Sequence, residues 1–256
     1  MAGHNKWSKI RHRKAVVDKR RGKAWTMCSR AIIVAARTGG GDPNFNYALR
    51  AAMDEARYHN MPAENVERAV KKGLGGGAGD DYETCRYEGY GAGGVAVVIE
   101  AFTNNRARTA GDVRMILGNY EGKLGVSGCV SHQFEQKGRV IVTAGHDDED
   151  AVMELALNAG ADDVRRIEDE EHPTWEVLCP PADFAKVRAA LGEAKLRGEK
   201  LHIGEAGIEM LPLTLTAVTG EAAKSVLDLV EELEDNEDIK KVYTNADIAE
   251  SELASM

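Results

Sequence analysis

The first 37 residues, MAGHNKWSKIRHRKAVVDKRRGKAWTMCSRAIIVAAR (1–37), contain eleven lysine and arginine residues but a single acid, Asp18, for a formal charge of +10. The whole chain of 256 residues carries −9, because residues 73–256 hold 17 basic and 36 acidic residues, a formal −19. A charge asymmetry of this size between two parts of one chain predicts an anionic partner for the basic end, above all a nucleic acid.

Hydrophobic periodicity divides this basic end into an arm and a helix. Residues 1–14 follow neither a helical nor a strand period, which predicts an arm that is extended or that becomes ordered on binding. From Val16 to Arg37 apolar residues recur every three or four positions, which predicts a helix, and the glycines at 39–41 end it. The apolar stripe of this helix consists of Trp25, Cys28, Ile32, Ala35 and Ala36.

A second helix is predicted directly after the glycines. Asp42 is the expected N-cap and Pro43 the expected first helical residue, and the pattern stops near Asn60. The residues expected on the inner face of this helix are Phe45, Leu49, Ala52 and Ala56.

A third helix opens at Pro62 and closes at Gly73. Three short helices predict a small bundle that carries the basic arm. The glycine-rich stretch 73–79 predicts a flexible linker, and so a domain boundary.

Beyond this linker, strands and helices alternate. The sequence predicts, in order, strand 95–102, helix 106–117, strands 130–134 and 139–143, helix 149–158, strands 163–167 and 175–178, helix 183–196, strand 208–217, helix 221–233 and strand 239–243.

Two split βαβ units of the ferredoxin-like kind, one placed within the other, explain this order. The predicted fold class is therefore α+β, with an N-terminal three-helix domain plus two ferredoxin-like α/β domains, one inserted in the other. The predicted domains are 1–78 for the basic arm and helical bundle, 79–134 with 206–247 for a discontinuous α+β domain, and 135–205 for the inserted α+β domain.

The basic arm is the main candidate for nucleic-acid binding, because neutralising phosphates releases condensed counterions. The alternative is a charged face that only meets solvent. Trp7 and His12 lie between the cations and could stack on exposed bases, although Trp7 could equally anchor the arm on the bundle. The residues predicted to bind phosphate are Lys6, Lys9, Arg11, Arg13, Lys14, Lys19, Arg20, Arg21 and Lys23.

A second candidate is the polar segment 103–109, where a strand turns into a helix. Backbone N–H groups at a helix start, together with Arg106 and Arg108, could hold a phosphate. An ordinary capped helix start explains the same residues.

The motif searches argue against an enzyme. The string Gly89–Gly94 matches GxGxxG, but a strand is expected after it and not the helix that a dinucleotide site needs, so a turn is predicted. The sequence has no P-loop, no HExxH, no GxSxG and no metal-ligand spacing among its histidines and cysteines. We therefore predict no catalytic residues, no metal and no cofactor.

Other patterns bear on environment and partners. The four cysteines stand 44 to 57 residues apart, which predicts reduced thiols, and there is neither a long apolar run nor a signal peptide. We predict a cytoplasmic protein with no membrane partner. The string 137–142 has Arg139 where an RNA-recognition module carries an aromatic residue, so the sheets are expected to be structural or protein-binding.

Five stretches of the sequence are distinctive: GHNKWSKIRHRK (3–14), NMPAENVERA (60–69), YEGYG (87–91), Leu124-Gly125 with Ser127-Gly128, and VYTNAD (242–247). Together they resemble the YebC family of bacterial proteins, which is related to a mitochondrial translational activator of cytochrome oxidase. The resemblance runs essentially end to end. Ala92 replaces a usual proline and 120–123 replaces a Gly-Gly-Asn turn, and neither departure touches the arm.

This resemblance implies three domains, nucleic-acid binding and no catalysis. Some members are described as binding promoter DNA, while others act at the ribosome and relieve stalls on proline-rich nascent chains. It therefore implies a probable transcriptional regulator that binds DNA, with a ribosome-binding or RNA-binding translation factor, in contact with rRNA or tRNA, as the alternative. The arm shows no recognisable groove-reading helix, which favours RNA. The acidic domains are expected to face other proteins, and a protein scaffold whose basic end docks on an acidic partner is the competing class.

Overall fold

The computed structural model describes residues 17–75, 82–167, 172–249 and 252, with side chains from residue 22 onward. The described residues form seven α-helices: α1 Val17–Gly39, α2 Tyr47–Tyr58, α3 Ala63–Gly75, α4 Arg106–Asn119, α5 Glu149–Ala159, α6 Phe184–Glu193 and α7 Gly220–Asp235. The strands are β1 Glu83–Tyr90, β2 Ala96–Thr103, β3 Lys123–Leu124, β4 Phe134–Thr143, β5 Asp163–Ile167, β6 Thr174–Cys179, β7 Lys195–Leu196, β8 Glu199–Lys200, β9 His202–Pro212, β10 Thr216–Ala217, β11 Ile239–Thr244 and β12 Ala246–Asp247. The fold is α+β, with helices first and mixed α/β layers after them, as the sequence predicted.

The chain divides into two compact units. One unit contains residues 1–132 together with 215–256, and the other contains 133–214. The inserted domain predicted at 135–205 lies within the second unit.

In the first unit, α1, α2 and α3 pack around one apolar cluster. The predicted stripe of α1 lies in it, since Cys28, Ile32 and Ala36 are buried there and Trp25 donates its indole N–H to the carbonyl of His59 at 2.9 Å. Burial raises the pKa of Cys28 to about 12, so this thiol stays protonated. All four cysteines are free, as predicted, and three of them are buried.

The second helix does not start where the sequence predicted. It begins at Tyr47, with Asn46 as the N-cap, because the Asn46 side chain accepts from the N–H of Leu49 at 3.0 Å. The same amide donates to the carbonyls of Ala35 and Gly40, both at 2.8 Å. Asp42 lies in a turn before the helix. The N-cap of α2 is therefore Asn46 and not Asp42, because the Asn46 side chain also bonds to α1.

This asparagine also explains a glycine at the end of α1. A Cβ atom on Gly39 would lie 2.6 Å from the Asn46 amide nitrogen, so a side chain at 39 would displace the cap. Phe45, expected on the inner face of the helix, precedes it and is 86% exposed. That part of the sequence interpretation was wrong.

The remainder of the first unit is a four-stranded sheet in the order β11-β2-β1-β3, with α4 and α7 packed on it. The strands β1 and β2 form a central antiparallel hairpin. The GxGxxG string at 89–94 covers the end of β1 and most of the connection, and a strand follows it as predicted. The apolar core between this sheet and its two helices includes Val97, Ile99, Leu117, Leu229 and Ile239, all fully buried.

A loop in this unit is fixed by a carboxylate. Buried Glu88 accepts from the backbone N–H groups of Gly128, Val130 and Ser131 at 2.9 to 3.0 Å. Burial alone would raise the pKa of Glu88, but these hydrogen bonds outweigh it and lower the pKa below its ordinary value. Residues 130–134 were predicted to be a strand, but the loop ends in a 3₁₀ turn at Ser131–Gln133 before β4 begins. The N–H groups of Val130 and Ser131 donate to Glu88 and so are not used to pair with a strand.

The second unit has the βαββαβ order that the sequence predicted. Its sheet runs β5-β6-β4-β9, with every neighbouring pair antiparallel, and α5 and α6 cover one face around the fully buried Trp175. Of the strand predicted at 208–217, residues 208–212 are the second half of β9, which pairs with β4, and residues 216–217 form the separate short strand β10. The hydrophobic pattern located a strand there, but it carried no information on the partner.

Replacement of the N-cap residue Asn46 tests the packing of the N-terminal helices. Asn46→Ala removes the cap and the amide donor to the carbonyls of Ala35 and Gly40, so we expect the free energy of unfolding to fall by about 1–3 kcal/mol. Urea unfolding followed by circular dichroism measures it. Asp42→Ala is the matched control, since its exposed carboxylate accepts from Asn44 N–H at 2.8 Å, and the expected loss is about 0.5 kcal/mol. A larger loss for the control would contradict this assignment of the cap.

Candidate nucleic-acid interface

The predicted arm residues Lys6, Trp7, Lys9, Arg11, His12, Arg13 and Lys14 lie outside the described residues. Lys19, Arg20 and Arg21 lie on the first turns of α1, where the backbone is described and the side chains are not. The predicted site residues with described side chains are Lys23, Arg106 and Arg108, and each has a partner within the protein.

Lys23 is bound to the end of α7. Its ammonium donates to the carbonyl of Glu234 and, at 2.9 Å, to the carbonyl of Asn236. The last carbonyls of a helix carry the negative end of the helix dipole, so a lysine is favourably placed there. Two of the three N–H donors of this ammonium are thus used within the protein, and the phosphate contact predicted for Lys23 stays a prediction.

Arg30, seven residues after Lys23 on α1, also contacts the α+β part of the first unit. It is 9% exposed, and its guanidinium donates to the carbonyls of Phe102 and Glu237 and to the carboxylate of Asp238 at 3.0 Å. The guanidinium also lies 4.9 Å from the centre of the Tyr82 ring. Lys23 and Arg30 together hold α1 on the α+β part of the first unit.

Asp238 is the centre of a buried polar cluster. Its carboxylate is paired with Arg108 at 2.6 Å and accepts from the hydroxyls of Thr109 at 2.8 Å and Thr103 at 3.3 Å, in addition to Arg30. Burial would raise the pKa of Asp238, but the hydrogen bonds from Arg108 and Thr109 and the charges of the two arginines outweigh it, so the pKa lies below its ordinary value. The group is therefore ionised at neutral pH.

The helix start at 103–109 has an ordinary cap. Asn105 accepts from the N–H of Arg108 at 3.1 Å and is the N-cap of α4. Arg106 forms an ion pair with Glu83 at 2.8 Å, and Arg108 forms the pair with Asp238. The cap explains why the helix starts here, and both guanidinium groups already have carboxylate partners. A phosphate contact at Arg106 and Arg108 stays a prediction.

The sequence patterns predicted no role for Arg30, although it is one of the eleven cations of residues 1–37, and they did not indicate Asp238. The seven-residue spacing from Lys23 to Arg30, beside the apolar stripe, places both cations on one face of the helix. That spacing was the available signal for an internal contact. Nothing local marks Asp238, because the partners of its carboxylate come from positions 129 or more residues away.

The sheet of the second unit has a charged pair where an RNA-recognition module would have an aromatic ring. Arg139 and Glu176 are 5% and 3% exposed and pair at 2.6 Å. Burial would lower the pKa of Arg139, but Glu176 and Glu209 outweigh it and raise the pKa. The guanidinium is buried and paired, and so it is not a stacking surface.

Two further properties limit what the described residues can do. None of the described helices is long and apolar enough to cross a membrane. Within 17–75, 82–167 and 172–249, no group of three or more His, Cys, Asp or Glu side chains is placed to hold a metal ion.

The geometry defines a class of protein with a helical domain bearing a cation-rich helix, anchored to an α+β body into which a second α+β unit is inserted. Comparison with known proteins gives the particular family. Residues 5–76 match the model of the TACO1/YebC protein N-terminal domain, and residues 82–246 match that of the TACO1/YebC second and third domain. The chain belongs to the TACO1/YebC family, as the motifs indicated.

Relatives match over the full length. Proteins named "probable transcriptional regulatory protein" are 47% identical in Citrifermentans bemidjiense and 46% identical in Geobacter sulfurreducens, each over 256 residues that cover 100% of both chains. The crystal structure of a conserved hypothetical protein from Aquifex aeolicus is 40% identical, with a TM-score of 0.81 over 94% of this chain and 96% of that one.

Removing the charge of Asp238 tests the anchor of α1. Asp238→Asn leaves two guanidinium groups without a counter-charge, so we expect the free energy of unfolding at pH 7 to fall by about 3 kcal/mol. The lowered pKa means that the carboxylate contributes stability above the ordinary value of 3.8, and that this contribution is lost as the pH falls through the folded pKa. The difference between wild type and variant should therefore shrink below about pH 4 in urea unfolding.

Asp54→Asn is the matched control, since it removes the same charge from an exposed pair with Arg57 at 2.7 Å. Its cost should stay below about 1 kcal/mol. Equal effects of the two substitutions at pH 7 would show that Asp238 does not hold the arginines together.

Proposed function

We propose that this protein is a non-enzymatic regulator of gene expression that binds nucleic acid through its basic N-terminal segment. The observation that carries the proposal is the division of the cations along α1. Lys23 and Arg30 are used inside the protein, whereas Lys19, Arg20 and Arg21 on the first turns follow the arm of five cations, residues 1–16, which contains no acid. Phosphates are the partners that a cation density of this kind favours.

Duplex DNA is the partner that the names of the relatives support. Between Cys28 and Ala36, α1 packs in the helical bundle, and its Lys23–Arg30 face packs against the α+β part. The middle of the helix is therefore not available to enter a groove. Contacts would come from the arm and the first turns and would go mainly to phosphates, which position a protein on DNA without selecting a sequence.

That same geometry favours a second candidate, an RNA-binding translation factor that acts on the ribosome. A helix that reads bases in the major groove must present several residues along one free face. The docked face of α1 does not allow this, while phosphates of structured rRNA or tRNA suit a basic arm equally well.

Neutralising the arm tests the shared part of both candidates. Replacement of Lys6, Lys9, Arg11, Arg13 and Lys14 by glutamine should weaken binding to every sequence of duplex DNA, because phosphate contacts carry no sequence information. If each of the five residues contacts one phosphate, the slope of log K against log salt should fall by about 4.5. Fluorescence anisotropy between 50 and 200 mM salt measures both quantities.

The control variant changes the net charge equally at exposed positions outside the N-terminal domain. It replaces Arg114, Lys186, Lys195, Lys200 and Lys224 by glutamine. Binding by this control should stay within a few fold of wild type. Unchanged affinity of the arm variant would refute the proposal.

Co-sedimentation with ribosomes at physiological salt, with excess duplex DNA as competitor, separates the two candidates. Loss of the protein from the pellet when DNA is added supports the DNA-binding regulator. Retention in the pellet by wild type, but not by the arm variant, supports the translation factor.

A further inference from the structure

Two aromatic side chains of the N-terminal domain face solvent at the start of α2. Phe45 is 86% exposed and Tyr47 is 76% exposed, on either side of the buried N-cap Asn46. Aromatic rings lose a large favourable burial energy when they remain in water. The described residues Phe102 and Phe134, by contrast, are 7% and 6% exposed.

The local structure explains why Phe45 finds no apolar neighbour along the helix. A hydrophobic residue just before an N-cap ordinarily packs on the fourth residue of the helix. Here that residue is Arg50, whose guanidinium instead donates to the carbonyls of Pro43 at 2.9 Å and Asn44 at 3.1 Å. The ring of Phe45 is left exposed as a result.

The same contacts hold the two rings in place. The turn before α2 is tied by Arg50, by the carboxylate of Asp42 on the N–H of Asn44, and by Asn46, which bonds to α1. The Arg50 guanidinium also lies over the Tyr47 ring, 5.3 Å from its centre. Since Tyr47 stays 76% exposed, the opposite face of its ring is open to solvent. Rings fixed in this way lose little conformational entropy when a ligand stacks on them.

We propose that Phe45 and Tyr47 form a stacking site for unpaired bases of RNA. The proposal rests on the nucleic-acid binding proposed above and adds a contact that is not electrostatic. Residues 1–72 carry a formal +10, so charge complementarity favours a polyanion over an apolar partner for rings in this domain. Duplex DNA hides the faces of its bases, whereas the loops and bulges of RNA expose them to aromatic side chains.

The composition of the surroundings supports the same partner. Asn44 and Ala48, which flank the two rings in sequence, are exposed, as is Arg50, while Asn46 between the rings is buried. A protein-docking surface would need a larger continuous apolar patch. An arginine beside an aromatic ring is a common feature of sites where successive bases stack.

The test uses a 12-nucleotide single-stranded RNA with one 2-aminopurine, whose fluorescence is quenched when the base stacks. The full chain with Phe45→Ala and Tyr47→Ala should bind this RNA about 5-fold to 150-fold more weakly for each base that no longer stacks on an aromatic side chain. The quenching of 2-aminopurine fluorescence on binding should also be lost. No charge changes, so the slope of affinity against salt should equal that of wild type. Both side chains are exposed, so thermal unfolding should change little.

Two further variants serve as controls. Phe45→Leu with Tyr47→Leu keeps apolar side chains but removes the ring faces, and it should lose quenching as the alanine variant does. Met115→Ala removes a side chain that is 59% exposed on α4, and it should bind like wild type.

Three results would overturn the stacking site while leaving the proposed function intact. The first is unchanged RNA affinity of the alanine variant, with the steep salt dependence still present. The second is full binding and quenching by the leucine variant, and the third is an equal loss of affinity for duplex DNA of the same sequence. If wild type binds neither RNA nor DNA at 50 mM salt, the proposed function itself fails, and the stacking site with it.

Discussion

The carboxylate of Asp238 is the group on which the arrangement of the N-terminal helices depends. It is 4% exposed and charged, and a buried charge is stable only when it is paired and hydrogen-bonded. Its partners come from three places: Arg30 on α1, Thr103 at the end of β2, and Arg108 and Thr109 on the first turn of α4. One side chain thus joins the helical domain, the central hairpin and a covering helix.

This anchor decides how the cations of α1 are used. Seven residues separate Lys23 from Arg30, which is two turns of helix, so both side chains lie on the face that packs on the α+β part. The α+β part therefore fixes the position of α1, the helix whose first turns carry Lys19, Arg20 and Arg21.

Much of the fold could be predicted from the sequence, because local patterns determine it. Periodicity placed α1 and α4 within two residues of their observed ends, and the βαββαβ order of the second unit followed from alternating strands and helices. The errors occurred where a distant group competes with a local signal. Asp42 and Pro43 form a strong helix-start signal, but the helix is capped by Asn46, because the amide of Asn46 also bonds to the carbonyls of Ala35 and Gly40.

The candidate site was less predictable for a related reason. A lysine that binds a helix end and a lysine that binds phosphate look alike in sequence, and only the contact of Lys23 with Asn236 distinguishes them. Likewise, Phe45 stands at an apolar position of a helical pattern and was expected in the core. It is exposed because the residue that should cover it, Arg50, is used to close the turn.

The distribution of charge and of exposed rings has a consequence for how a polyanion would be held. Phosphate contacts weaken steeply with salt, whereas stacking depends little on it, so a site with both retains affinity where an arm alone would lose it. The remainder of the chain carries a formal −19 and is tied to α1 through Asp238. The Debye length at physiological ionic strength is about 8 Å, so this charge would repel a nucleic acid only where a strand approaches the body that closely. In the proposed function, this repulsion would favour binding at the basic N-terminal segment over binding to the rest of the chain.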